Sequence, residues 1–231
     1  MLEIYEKKYQ ELKDTNPIYK YVFIDAVNNL ENKFENSLYY QKVLNTWVVF
    51  YENRNETLEN ELSYYLIGIN DTTLEKNVIN LLHKGNLKFS AAESCTGGLI
   101  ISRLISVPCA SYVIEESYIT YSNNAKNKIL GVKKDTINKY SVTSIEVAKE
   151  MAEGLANITK SNICVSVTGF TSSTVPTDTD GLFFFGIKVN HEEDYIHLEK
   201  EQVSGNREEC RYQQVTYILW RVYNILRKIV K

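Results

Sequence analysis

The stretch ESCTGG at residues 93–98 carries the residue types that an acyl-transfer site needs. By pattern it is a turn between a short strand, LKFSAA, and a helix, LIISRLIS. Amides in the first turn of a helix lack internal partners and lie at the positive end of the helix dipole, so they can stabilise an oxyanion or a phosphate. Ser94 would have its hydroxyl beside those donors, and Gly97 and Gly98 would let the backbone approach a ligand. The same spacing also fits a simpler role, in which Ser94 or Thr96 only caps the helix.

A serine nucleophile needs a base, and the sequence offers a lysine. The segment YSNNAK at residues 121–126 ends a predicted strand, SYITYS, and begins a helix. Lys126 can act as a base if burial or a neighbouring cation lowers its pKa, and Tyr121 would then orient the amine or relay its proton. The alternative is a solvated lysine beside an aromatic at the rim, because lysine is usually exposed.

Predicted helices and strands alternate through the C-terminal two thirds of the chain, which favours an α/β fold, a layered sheet with helices on both faces. Thr72 and Glu75 have the spacing of a capping box for a first helix, and Thr143 or Ser144 caps a later one. NICVSVTG is an apolar strand, LFFFGIKV and YIHLEKEQV look like a hairpin pair, and a helix over about 208–228 closes the chain.

The composition changes near position 70, so we predict an N-terminal extension of unknown role at 1–69 and an α/β domain at 70–231. The extension is rich in Tyr, Asn, Glu and Lys. YKYVFIDAVNNLENKF predicts an amphipathic helix after Pro17, and VLNTWVVFY fits either a strand or a buried helical turn. We therefore expect a small, mostly helical extension.

Composition and charge exclude several classes of function. A net charge of −3 with mixed Lys and Glu gives no basic surface for nucleic acid, and no apolar run reaches the length of a membrane span. The four cysteines include no C-x-x-C pair and the three histidines no zinc-binding pattern, so we expect free thiols and no metal. Met1 leads into a polar, charged segment rather than an apolar signal, which favours a cytoplasmic location.

Several ordered segments together resemble the C-terminal domain of the CinA family, the competence/damage-inducible proteins. They are AAESCTGGLIISRLISVP, YITYSNNAKNKILGV, SVTSIEVAKEMAEG, ICVSVTG and SGNREECR. The resemblance covers about residues 70–228 and implies the fold of that domain. Free-standing relatives are nicotinamide-nucleotide amidohydrolases, which implies conversion of nicotinamide mononucleotide and water to nicotinic acid mononucleotide and ammonia.

The resemblance also implies roles for individual residues. Ser94 matches the family's nucleophile, Tyr121 its tyrosine in T-Y-S, and Lys126 its lysine in the following A-K, all at the family's spacing. Lys126 would take the Ser94 proton, and amides of the turn would stabilise the oxyanion. The reaction needs no metal or cofactor, and the family suggests a homodimer. The expected substrate-binding residues are Thr96, Gly97, Gly98, Ser111, Thr168, Gly169 and Arg207.

Two places depart from the family pattern. After Thr168-Gly169 the family runs through a glycine-rich A-G-P-x-G-G loop, whereas this chain has FTSSTVP at 170–176, and Cys109 stands where the family favours glycine. Side chains therefore occupy places where bare amides would approach a ligand. This leaves open a second hypothesis, a nucleotide-binding or regulatory module with weak or no activity. A third is a thiol hydrolase using Cys95, whose pKa a helix N-terminus would lower; the alternative is a small buried residue.

Overall fold

The computed structural model describes residues 18–172 and 177–230. The chain divides into two compact units between Asn77 and Val78, inside helix α2 (Leu74–Lys84). The predicted boundary between residues 69 and 70 stays a prediction. Over the described ranges, no helix combines the length and apolar character that crossing a bilayer requires.

The first unit contains a four-stranded antiparallel sheet of order β2-β3-β1-β4. A 3₁₀ turn (Leu30–Lys33) and helix α1 (Glu56–Glu61) accompany it. The strands are β1 (Tyr19–Ile24), β2 (Tyr39–Val43), β3 (Thr46–Tyr51) and β4 (Leu66–Ile69).

The prediction of a mostly helical extension is wrong for these residues, because the segment after Pro17 forms strand β1. Tyr21 and Phe23 alternate along this strand, are fully buried, and pack with Leu30 and Phe34. Aromatic and β-branched residues suit a pleated surface, and β3 and β4 flank β1 on both sides. The helical pattern was misleading because those hydrogen-bonding partners lie far along the chain.

The second unit is built on a five-stranded mixed sheet of order β6-β5-β7-β8-β9. β5 runs parallel to β6 and to β7, whereas β8 and β9 are antiparallel to their neighbours. The predicted strands and hairpin are confirmed. The strands are β5 (Phe89–Glu93), β6 (Tyr118–Ile119), β7 (Ile163–Gly169), β8 (Leu182–Asn190) and β9 (Asp194–Gln202).

Helices cover both faces of this sheet, which confirms the predicted α/β class. Phe185 and Gly186 are consecutive on β8 and point to opposite faces. The Phe185 ring contacts Tyr217 of the C-terminal helix, whereas Gly186 faces the carbonyl of Ala148 on another helix. The helices after α2 are α3 (Leu99–Ile105), α4 (Asn123–Leu130), α5 (Lys134–Tyr140), α6 (Ile145–Thr159) and α7 (Arg207–Ile229), with a 3₁₀ turn at Ala110–Tyr112.

The two predicted helix caps have different outcomes. Ser144 caps α6, since its side chain accepts a hydrogen bond from the Val147 amide. The capping box at Thr72 is wrong, because α2 begins two residues later and the Thr72 hydroxyl instead bonds the backbone of Ile69. Thr73 accepts from the Lys76 amide in its place.

Candidate active site

Two parallel strands bring the candidate residues together. β5 ends at Glu93, directly before Ser94, and β6 ends at Ile119, directly before Thr120. The Thr120 amide donates to the Glu93 carbonyl at 2.8 Å, which holds the two chain ends side by side. The carboxyl ends of parallel strands are the usual place for a site in an open α/β sheet.

The amine of Lys126 lies against the hydroxyl of Ser94. Lys126 Nζ is 2.8 Å from Ser94 Oγ, 2.8 Å from the Thr120 carbonyl and 3.3 Å from the Tyr121 carbonyl. Only 1% of Lys126 and 7% of Ser94 is exposed. The solvated lysine considered as an alternative is therefore ruled out, because this side chain is enclosed and points at a serine.

Burial lowers the pKa of Lys126 to about 8, with the Cys95 thiol opposing the shift more weakly. A neutral amine has two N–H donors and one lone pair. The carbonyls of Thr120 and Tyr121 can take both donors, which turns the lone pair toward the Ser94 hydroxyl. The arrangement can thus remove a proton from Ser94 Oγ.

A buried carboxylate, Glu93, shapes the turn that carries Ser94. Its oxygens accept hydrogen bonds from the Thr96 hydroxyl at 2.7 Å, the Gly98 amide at 2.9 Å, and the Ile100 and Ile101 amides at 3.1 Å each. A negative charge is stabilised at a helix N-terminus. Sequence reasoning missed this role, although an acidic residue just before a strand-to-helix turn is a usable signal.

Backbone conformation explains the two glycines of the turn. Gly97 and Gly98 have φ values of +61° and +93°, in the left-handed region that side chains disfavour. A Cβ on Gly98 would also come within 3.0 Å of the Ile119 side chain. The glycines therefore let the chain fold closely against the end of β6.

The predicted oxyanion role of this turn is wrong for Gly97 and Gly98. The Gly97 amide donates to the Ser94 carbonyl at 3.2 Å, and the Gly98 amide donates to Glu93. The Thr96 hydroxyl is likewise engaged by Glu93. These groups hold the turn in shape, so their hydrogen bonds are made within the turn rather than to an oxyanion.

Tyr121 and Arg207 meet at one edge of the site. Arg207 Nη2 lies 3.4 Å from the Tyr121 hydroxyl, and Nη1 lies 2.6 Å from the Thr171 hydroxyl. Tyr121 is 63% exposed, its hydroxyl has Arg207 as a partner, and its carbonyl contacts Lys126. The tyrosine thus orients the Lys126 amine through its main chain.

A second arginine, Arg211, was missed by sequence reasoning. It lies one turn after Arg207 on α7, and its Nε and Nη2 donate to the Thr96 carbonyl at 3.2 and 2.7 Å. Among the described residues, no carboxylate pairs with Arg207 or Arg211. Of these two arginines, Arg211 lies against the Ser94 turn, whereas Arg207 lies against Tyr121 and Thr171. The signal was the four-residue spacing of the arginines in SGNREECR.

Three predicted binding residues remain: Thr168, Gly169 and Ser111. The buried Thr168 hydroxyl donates to the Val142 carbonyl at 3.0 Å. A Cβ on Gly169 would come within 2.6 Å of the Leu182 carbonyl, so glycine is needed there for strand pairing. Ser111 lines a separate groove of about 450 Å³, and the lining found among the described residues includes neither Ser94 nor Lys126.

The prediction of free thiols is confirmed for all four cysteines. Burial raises the pKa of Cys95 to about 12, and its thiol donates to Gln214 Oε1 at 3.6 Å. The thiol hydrolase hypothesis is therefore disfavoured, because the thiolate is the reactive form. The alternative, a small buried residue, describes Cys95.

The fold and the buried contact define a class of α/β proteins that carry a serine and a lysine amine together at the ends of parallel strands. The family model described as CinA C-terminal domain matches residues 71–226. The chain belongs to the CinA family.

Curated relatives agree with this assignment. A CinA-like protein of Petrotoga mobilis is 38% identical over 175 residues, covering 75% of this chain and 42% of the relative. A putative competence-damage inducible protein of Clostridium botulinum is 38% identical over 193 residues, covering 83% and 44%. The chain thus spans about two fifths of the length of these relatives. Because few residues follow 226, the longer match must also include part of the first unit.

Solved structures share the fold. A CinA superfamily protein from Klebsiella pneumoniae has a TM-score of 0.62 at 21% identity, covering 67% of this chain and 96% of that one. The competence/damage inducible protein CihA from Agrobacterium tumefaciens has a TM-score of 0.58 at 27% identity, covering 68% and 94%. The first of these similarities shows the fold alone.

Proposed function

We propose that the second unit hydrolyses the carboxamide of nicotinamide mononucleotide to nicotinic acid mononucleotide and ammonia, with Ser94 as nucleophile and Lys126 as base. The observation that supports this most strongly is the 2.8 Å contact between Lys126 Nζ and Ser94 Oγ. The lowered pKa of Lys126, about 8, makes a base of that amine near neutral pH.

The first half of the reaction forms an ester. The neutral Lys126 amine takes the proton of Ser94 Oγ as that oxygen attacks the carboxamide carbon. A tetrahedral intermediate forms, with negative charge on the former carbonyl oxygen. The protonated Lys126 then gives its proton to the carboxamide nitrogen, the C–N bond breaks, and ammonia leaves.

The second half hydrolyses the ester and regenerates the free enzyme. Lys126, neutral again, takes a proton from a water molecule as the water oxygen attacks the ester carbon. The bond from carbon to Ser94 Oγ then breaks, and Lys126 returns the proton to that oxygen. The product is the carboxylic acid, which ionises at neutral pH.

Substrate recognition in this proposal relies on the two arginines. Arg207 would bind the substrate phosphate with its permanently charged guanidinium, and Arg211 adds positive charge beside the turn. The absence of a paired carboxylate in the described part of the chain supports this role, since it leaves their charge for an anion. A small-molecule nucleotide is therefore the partner that we propose.

A second candidate function is a nucleotide-binding or regulatory module with little or no turnover. The altered segment at 170–176, which lacks the family's glycines, favours it. Thr171 from this segment already contacts Arg207, the residue proposed for the phosphate.

One assay separates the two candidates: ammonia release from nicotinamide mononucleotide by the purified full chain. We expect turnover in the wild type, its loss in Ser94→Ala, and its retention in the adjacent control Cys95→Ala. Nucleotide binding without ammonia release would support the module instead. Activity that survives Ser94→Ala would refute the serine mechanism.

A further inference from the structure

Backbone hydrogen bonds join the residues just after β7, Phe170 and Thr171, to the residues at the start of β8, Gly181 and Leu182. The Phe170 amide donates to the Leu182 carbonyl at 2.7 Å, and the Gly181 amide donates to the Thr171 carbonyl at 2.8 Å. A Cβ on Gly181 would come within 1.7 Å of the Val203 carbonyl, so the backbone there is tightly enclosed. These contacts fix the main chain of Thr171.

Helix α7 bonds the same backbone through Gln214. The buried side chain of Gln214 donates from Nε2 to the Phe170 carbonyl at 2.8 Å and to the Gly181 carbonyl at 3.4 Å. The helix that carries Arg207 is thereby fastened to the segment that carries Thr171. These contacts set the distance between Thr171 and Arg207.

The side chain of Thr171 is aimed at Arg207. Thr171 is only 6% exposed, and its hydroxyl accepts from Arg207 Nη1 at 2.6 Å. A β-branched residue has few rotamers, whereas an arginine side chain has many. Fixing one nitrogen of the guanidinium on Thr171 leaves the other facing the Tyr121 hydroxyl. The threonine therefore orients the arginine beside the proposed site.

We propose that Thr171 is a positioning residue that sets the preference of this site for nucleotides carrying a phosphate over nucleosides lacking one. The inference rests on the proposed function. A guanidinium held in one orientation binds an anion without losing rotamer freedom at that moment. This chain lacks the family's glycine-rich loop, and in it the Thr171 hydroxyl fixes the orientation of the Arg207 guanidinium.

The test compares Thr171→Val, which removes the hydroxyl and keeps the shape, with Thr171→Ser, which keeps the hydroxyl. Thr136→Val is the matched control, because the Thr136 hydroxyl bonds Glu150 at 2.7 Å and takes no part in the site. Ammonia release is measured with nicotinamide mononucleotide and with nicotinamide riboside, which lacks the phosphate.

We expect Thr171→Val to raise KM for the nucleotide about ten-fold, the size typical of a lost hydrogen bond to a charged group. KM for the riboside and kcat for both substrates should stay as in the wild type. Thr171→Ser and Thr136→Val should behave as the wild type with both substrates. An unchanged KM in Thr171→Val, or equal losses on both substrates, would overturn the inference.

Titration calorimetry distinguishes this failure from failure of the proposed function. Nicotinamide mononucleotide is titrated into Ser94→Ala and into Ser94→Ala with Thr171→Val. If the wild type binds the nucleotide but releases no ammonia, the proposed function fails while a ten-fold weaker Kd in the double variant still supports the positioning role. Equal Kd values, or no binding to either protein, would overturn it.

Discussion

Two strand ends at the same edge of the sheet are built in different ways. After β5, glycines and the buried Glu93 carboxylate hold the turn that carries Ser94, so backbone groups define the geometry. After β7, the side chains of Thr171 and Gln214 define the geometry instead. The proposed chemistry thus depends on Glu93 and the glycines and the proposed recognition on Thr171, while Gln214 contacts both strand ends, through Cys95 Sγ and through the Phe170 carbonyl. A change at one strand end should therefore affect turnover, and a change at the other should affect substrate preference.

The largest expected effect comes from removing the amine. Lys126→Met keeps the length and apolar stem of the side chain but cannot take a proton, so we expect ammonia release to fall by about 10³-fold. The exposed Lys128 on the same helix is the matched control, and Lys128→Met should keep wild-type activity. Steady-state assays of both variants, with circular dichroism to check folding, provide the measurement. Full activity in Lys126→Met would contradict the assigned base.

The pH dependence follows from the same amine. Because burial lowers the pKa of Lys126 to about 8, the neutral form becomes populated as pH rises through that value. We expect kcat/KM to increase about ten-fold per pH unit below 8 and to level off above it.

Stability should follow the same direction. Between pH 8 and the ordinary lysine value of 10.5, the unfolded chain binds the proton that the folded chain has released, so stability should rise with pH. Urea unfolding of wild type and Lys126→Met over this range checks the sign. A contribution to stability that falls with pH would contradict the lowered pKa.

The next effect tests the support of the Ser94 turn. In Glu93→Gln one carboxylate oxygen becomes an NH₂ group that faces backbone amides, so at least one of four hydrogen bonds is lost. We expect a loss of about 1–3 kcal/mol in the free energy of unfolding and a lower kcat. Glu115→Gln is the control, since that carboxylate is exposed and, in the part of the chain that the structure describes, its ion-pair partner is Lys88. Unchanged stability and kcat in Glu93→Gln would show that the turn keeps its conformation without the carboxylate.

The smallest effect concerns the other family glycine that this chain has replaced. Cys109 has a φ of +67°, a conformation that costs a side chain free energy. Cys109→Gly should raise the free energy of unfolding by about 0.5 kcal/mol, because relief of this cost exceeds the entropy that glycine adds to the unfolded chain. Cys109→Ala keeps the Cβ and should give no gain. A gain of the same size in both variants would point to the thiol rather than to the backbone.

The two units differ in how far their structure could be predicted. In the second unit, buried strands such as Ile163–Gly169 and helices such as Ile145–Thr159 carry their pattern within one window of sequence. In the first unit, the helical prediction after Pro17 failed because β1 depends on pairing with Thr46–Tyr51, more than twenty residues away. Local pattern cannot register such a partner.

The site was predictable only in part. Ser94 and Lys126 could be named from motifs that resemble the CinA family, but their contact depends on β5 and β6 lying side by side. The amides of Gly97 and Gly98 were assigned to an oxyanion because the competing acceptors, Ser94 O and the Glu93 carboxylate, appear only in three dimensions. Arg211 was missed for the same reason, since its partner is a main-chain carbonyl.

The Lys126 amine that lies against the Ser94 hydroxyl is expected to lose its proton at about pH 8. The most direct test is an NMR titration of the full chain with labelled lysine side chains, in which Lys126→Met identifies the Lys126 signal. We predict a midpoint at about pH 8 for this signal. A midpoint near 10.5, the ordinary lysine value, would show that the amine stays charged and would contradict the account.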